Sequence, residues 1–150
     1  SKENLAIAKS WLASSDEYNL LVNGTAITAF PVYYQNDLAL LRQSLRIVQA
    51  GTEVAEVKGK DLIPAHGLAM SRLLKTSVFS TEALTYEQAI AYLRKEAIVL
   101  PPSVPKGYVL VTYKEIPLGF VKNIGNRANN LYPQEWRIRS GYLPDDIRTL

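Results

Sequence analysis

Residues Gly107–Pro133 read GYVLVTYKEIPLGFVKNIGNRANNLYP, and this stretch decides the fold of the last third of the chain. Tyr108–Tyr113 is a weakly alternating β-branched and aromatic run, the composition of a strand buried on at least one face. Glu115-Ile116-Pro117 is expected to turn the chain, because proline presets φ and cannot donate to the middle of a ladder. Leu118–Lys122 then returns as a second strand, with Gly119 marking a bend or a close backbone approach. Asn123–Asn130 follows as a polar loop that can present amide donors and acceptors beside Lys122 and Arg127.

Upstream, Lys2–Ala13 carries Leu5, Ile7, Ala8, Trp11 and Leu12 as a helical stripe, and Trp11 is read as core. Tyr18–Val22 and Thr25–Phe30 flank Asn23-Gly24, a strong hairpin signal, and Tyr33-Tyr34 beside it is read as packing. The pattern predicts a short helix over Leu38–Ser44 and strands over Leu45–Ala50 and Glu53–Lys58, with a turn at Gly59-Lys60-Asp61. Pro64 is expected to open a helix over Ala65–Leu74. Lys75–Ala83 reads as a connector, and Thr85-Tyr-Glu-Gln88 as a capping box ahead of a helix over Ala89–Lys95. Pro101–Pro105 reads as a stiff extended crossing, Gln134–Arg139 as a final strand with Trp136 and Ile138 inward, and Gly141–Leu150 as a tail.

The 150 residues, 47% of them hydrophobic, suffice for one domain or for two small ones sharing an interface. With no cysteine, disulfides, thiolate metal sites and a cysteine nucleophile are excluded, and the single histidine, His66, rules out paired-histidine metal motifs. No apolar run reaches the length of a membrane span, so the expectation is a soluble, cytoplasmic protein. Residues 1–105 balance ten Lys and Arg against ten Asp and Glu, whereas residues 106–150 hold seven against four. The whole formal excess of +3 therefore lies around the opening stretch, and a local cationic surface favours a polyanion.

Nothing in the sequence builds a nucleotide-cofactor or nucleophile motif, and no carboxylates are paired by spacing. The expectation is that this chain performs no covalent chemistry itself and holds no catalytic, cofactor or metal residue. His66 is read as structural, because spacing places no acidic or nucleophilic partner near it. What remains is a cationic and amide-bearing set: Lys122, Asn126, Arg127, Asn130, Arg137 and Arg139. The cations can hold phosphates, and the asparagines can shape the loop or read base edges and 2′-hydroxyls.

Residues 106–137 resemble the C-terminal PUA-like domain of Sun-type RNA cytosine-5 methyltransferases that modify ribosomal RNA. The matching pieces are Gly107-Tyr108, Ile116-Pro117-Leu118-Gly119, Lys122, Gly125, Asn130, Tyr132-Pro133 and Arg137, and Pro64–Ala69 resembles a segment preceding that domain. Family members commonly carry lysine where this chain has Asn129, which removes one implied phosphate contact. The resemblance implies an α+β chain: a small mixed α/β accessory subdomain over residues 1–83, then a PUA-like β-barrel with a flanking helix over 84–150. It implies ribosomal RNA as partner, together with an N-terminal methyltransferase domain of the same polypeptide. That domain would bind S-adenosylmethionine, leaving no cofactor in this chain. Two other readings stay open: a structural module packed on the catalytic domain, and a small hydrolase using His66.

Overall fold

The computed structural model describes residues 1–32 and 51–139. The expected elements at Leu38–Ser44 and Leu45–Ala50, the pair Tyr33-Tyr34 and the tail Gly141–Leu150 lie outside the described residues.

Helix α1 (Lys2–Ser10) is capped by Ser1, whose Oγ accepts the Asn4 N–H at 3.2 Å. It stops short of Ala13 because the chain beyond it extends. Leu12 bridges Leu74, the Ala13 N–H bonds the Leu73 carbonyl, and the Lys75 N–H bonds that of Trp11. The same bridge shortens the second helix, α2 (His66–Met70), which does not reach Leu74. Pro64 closes a strand rather than opening this helix, and Ala65 in extended conformation is the N-cap. Local helix signals were present in both segments, but pairing between them won.

Between these helices lies an antiparallel sheet of order β1-β2-β3-β4: β1 (Tyr18–Asn23), β2 (Ala26–Pro31), β3 (Thr52–Lys58) and β4 (Asp61–Pro64). Asn23 pairs with Ala26, so the first hairpin turns through Gly24-Thr25. Ala55 pairs with Ile27 and Glu53 with Thr28, leaving Val54 as an extra residue, a β-bulge. Val54 and Ala55 are consequently both buried.

The second sheet has order β5-β6-β7-β8: β5 (Ser80–Ala83), β6 (Gly107–Tyr113), β7 (Ile116–Asn123) and β8 (Ala128–Asn130). Strand β5 falls in the expected connector, where it pairs in parallel with β6. A parallel pair needs a crossover, and the crossover contains α3 (Tyr86–Leu93). Its capping box is present: Thr85 Oγ1 accepts the Gln88 N–H, and Gln88 Oε1 accepts the Thr85 N–H.

The β6–β7 turn is Lys114-Glu115, both at positive φ, and not Glu115-Ile-Pro117. Pro117 sits inside β7 at a bulge opposite Thr112. It is tolerated there because β8 pairs only with Val121, Lys122 and Asn123, so the other edge of β7 is open beside the proline. Residues 101–105 form a turn, with the Val104 N–H on the Pro101 carbonyl, rather than an extended crossing. Gln134–Trp136 is a 3-10 turn rather than a strand, closed by the Trp136 N–H on the Pro133 carbonyl. Trp136 is 61% exposed, against the expected inward placement.

Alternation along β7 gives the second sheet two faces. Phe120 joins Leu110, Trp11, Ile27, Val54 and Leu68 in one core, while Val121 joins Val109, Val111, Ala128 and Tyr92 of α3 in another. The second sheet is therefore the middle layer, between the first unit and α3. The fold is α+β, with one antiparallel sheet, one mixed sheet and a few short helices. Among the described residues both sheets are open ladders, and no closed barrel is formed. No helix among these residues is long and apolar enough to cross a membrane.

Candidate nucleic-acid interface

The β7–β8 hairpin is built around Asn123, whose side-chain amide is fully engaged. Its Nδ2 donates to the carbonyls of Val104 (3.2 Å) and Pro105 (3.0 Å), and its Oδ1 accepts the Gly125 N–H (3.1 Å). The hairpin tip is closed by the Ile124 N–H on the Arg127 carbonyl, which leaves Asn126 and Arg127 exposed. A Cβ placed on Gly125 would lie 3.1 Å from Lys106 Cε, so the Lys106 stem runs along the tip.

Register places Lys122 nearby. Gly107 pairs with Asn123, and Tyr108, Lys122 and Asn129 form one row across β6, β7 and β8. Lys106, Lys122, Asn126 and Arg127 therefore share one end of the second sheet. Lys122 Nζ is 3.7 Å from Asp61 Oδ2, at the β3–β4 turn, and 5.6 Å from the Tyr108 ring centroid. Burial, with the Asp61 charge added, holds the Tyr108 hydroxyl above its ordinary pKa. Lys106 was not singled out by sequence reasoning. Its place beside the tip follows only from the β6–β7 register.

The other three predicted residues stand apart from that group. Asn130 pairs with Val121, so it lies on the α3 face of the sheet, opposite Lys122. Both its N–H bonds are engaged, with the carbonyls of Tyr92 (2.7 Å) and Glu96 (2.8 Å), and its Oδ1 accepts the Tyr132 N–H (2.8 Å). Arg137 and Arg139 flank Ile138, whose N–H bonds the Leu93 carbonyl at the end of α3. Arg137 also donates to the Gln134 carbonyl at 3.3 Å.

Lys95 fastens the same region from αL conformation, donating to the carbonyls of Asn130 (2.8 Å) and Tyr132 (2.5 Å). Burial lowers its pKa, partly offset by the Glu135 charge.

His66 meets Tyr132 and Trp136 edge-on, at ring-centroid distances of 5.4 and 5.2 Å. Burial lowers its pKa and favours the neutral imidazole, and its Nδ1 is buried with no hydrogen-bond partner among the described residues. The close seat comes from glycine. A Cβ on Gly119 would overlap the Tyr92 hydroxyl and lie 3.1 Å from His66 Nδ1, and one on Gly67 would lie 2.8 Å from the Glu53 carbonyl oxygen.

Residues 79–138, which include β5 to β8 and α3, match the family model described as the methyltransferase RsmF PUA domain. Residues 79–138 are thus similar to the PUA domain of that family. The curated relatives agree. The chain is 29% identical over 138 residues to ribosomal RNA small subunit methyltransferase F of Enterobacter sp. (strain 638), covering 92% of this chain and 27% of that protein. It is 30% identical over 114 residues to the protein of the same name from Shigella boydii serotype 4 (strain Sb227), covering 76% of this chain and 22% of that protein. The Klebsiella pneumoniae (strain 342) protein of that name is 28% identical over 99 residues, 66% of this chain and 20% of its own length. The chain thus spans about a quarter of the length of these relatives. The cationic end at Lys106, Lys122 and Arg127 lies within the matched residues, as do Asn130 and Arg137.

Proposed function

We propose that this chain is a non-catalytic, RNA-binding accessory region of an S-adenosylmethionine-dependent ribosomal RNA cytosine-C5 methyltransferase acting in the cytoplasm. The observation that carries this reading is the match of residues 79–138 to the RsmF PUA domain, joined to relatives named as ribosomal RNA methyltransferases. In this reading residues 1–83 are a first accessory subdomain and 84–150 the RNA-binding one. A catalytic domain elsewhere in the same polypeptide holds the cofactor.

Lys106, Lys122 and Arg127 supply phosphate contacts that position structured RNA, and Asn126 at the hairpin tip is placed to touch it. Arg137 and Arg139 add charge on the α3 side. Asn130 serves by holding the C-terminal segment to α3. Positioning of this kind brings a target base to a distant active site without chemistry in the accessory region.

The alternative reading is a structural module that packs on the catalytic domain with little direct RNA contact, and the zero net charge of residues 1–105 is the observation in its favour. Titrating the 150-residue chain with a hairpin of small-subunit ribosomal RNA, at 50 and 200 mM salt, tests the proposal. Binding that weakens steeply with salt supports it, and absence of binding at both concentrations rejects it.

A further inference from the structure

A cleft of about 770 Å³ separates the first unit from the segment that follows β8. Its floor is the face of β3 and β4 that carries Glu53, Glu56, Lys58 and Ile63. Residues three apart on a regular strand face opposite ways. Here the Val54 bulge brings Glu53 and Glu56 into the same cleft, where burial and the Glu56 charge raise the Glu53 pKa. The walls are aromatic and soft: His66 and Met70 on one side, Tyr132 and Trp136 on the other. Trp136 and Met70 are both at least half exposed, although each belongs to a class of side chain that usually packs inward. Trp136 is held edge-on by His66 and Tyr132, so an open indole stands on a fixed support.

These groups select among ligands. Three carboxylates, Glu53, Glu56 and Glu135, line the cleft against Lys58 and Lys95, and Lys95 is engaged with backbone carbonyls. The part of the lining around Glu53, Glu56 and Glu135 repels phosphate. It accepts hydrogen bonds from the amino and ring N–H groups of a neutral base, and the indole offers a stacking surface. Cations stand at one end of the same floor. Lys58 pairs directly with Asp61 across the β3–β4 turn, and Asp61 holds Lys122.

We propose that this cleft takes one unstacked nucleobase of the bound RNA, stacked on Trp136, with Glu53 accepting from its exocyclic amino group. Lys58 and Lys122 hold the adjoining phosphates. The inference rests on the RNA-binding reading above and names the part of the nucleic acid that enters this cleft.

The test uses the 150-residue chain with fluorescein-labelled pentacytidylate and pentauridylate, read by anisotropy. Pentacytidylate, which bears amino groups, binds several-fold tighter than pentauridylate, and Glu53→Gln narrows that difference. Trp136→Ala weakens pentacytidylate binding by about tenfold with an unchanged salt slope, whereas Trp136→Phe keeps most of the affinity. An unchanged thermal midpoint in Trp136→Ala shows that the fold is intact, as expected for an exposed side chain. If Trp136→Ala binds as the parent does, the cleft inference falls. If an arginine-rich peptide quenches Trp136 and neither oligonucleotide displaces it, the cleft belongs to a protein partner and the inference falls again. In both cases the RNA-binding reading survives as long as the ribosomal hairpin still binds with a salt slope that Lys122→Ala reduces. Loss of hairpin binding altogether removes both.

Discussion

Lys122 Nζ lies 3.7 Å from Asp61 Oδ2, an ion pair that crosses from the second sheet to the first. Both side chains are substantially solvated, so the pair contributes at most about 1 kcal/mol to stability. Asp61 also competes with phosphate for Lys122. Asp61→Asn is therefore expected to tighten RNA binding a few-fold at low salt, with a thermal midpoint within a few degrees of the parent. Lys122→Ala is expected to weaken binding across all RNA sequences. Anisotropy titrations of both variants against one hairpin check the opposed signs.

Asn130 is expected to matter for stability and not for affinity. Asn130→Ala removes three hydrogen bonds, to the Tyr92 carbonyl, the Glu96 carbonyl and the Tyr132 N–H. At about 1 kcal/mol for each bond, the loss is about 2–3 kcal/mol. Urea unfolding measures the loss, and RNA affinity below the transition should match the parent.

Gly119 combines a backbone φ of +151° with contact against Tyr92. Gly119→Ala is expected to destabilise by about 2–4 kcal/mol, from backbone strain and overlap together. Tyr92→Phe alone loses the hydrogen bond from its hydroxyl to the Phe120 carbonyl, about 1 kcal/mol. The double variant should be more stable than the sum of the single losses predicts, because the overlapping hydroxyl is gone. A double-mutant cycle by urea unfolding reads the coupling.

His66, which is half-buried, and Glu53, which is more exposed, give stability opposite dependences on pH. His66 has a folded pKa below its ordinary 6.5, so the unfolded chain binds the proton more readily, and its contribution is lost as pH falls below that value. Glu53 has a folded pKa above its ordinary 4.5, so the folded chain binds the proton more readily and gains stability as pH falls toward that value. Between pH 7.5 and 5, His66→Gln should flatten the acid loss and Glu53→Gln should steepen it. Thermal midpoints across that range test both signs.

Strong local signals in the sequence carried through to the fold. Asn23-Gly24 marks the first hairpin, Thr85 and Gln88 close the capping box, and the β-branched run after Gly107 is a strand. The misplaced elements depend on distant partners. Ser80–Ala83 is short and mostly exposed, so only pairing with β6 reveals it as a strand. Trp136 alternates with Ile138 as a strand would, yet Pro133 starts a tight turn that leaves the indole outside. In the candidate site, residue types were legible and faces were not. Lys122 and Asn130 both look suited to RNA in one dimension, but the register sends them to opposite sides. The carboxylate pair Glu53 and Glu56 was invisible for the same reason, since a bulge sets its geometry.

The most direct test of the account is the slope of log affinity against log salt for a small-subunit ribosomal RNA hairpin. It compares the parent chain with a Lys122→Ala/Arg127→Ala double variant. The account predicts salt-sensitive binding by the parent and a slope smaller by about two in the variant, about one for each phosphate contact removed. Equal slopes in the two proteins, or no binding by the parent at low salt, would contradict it.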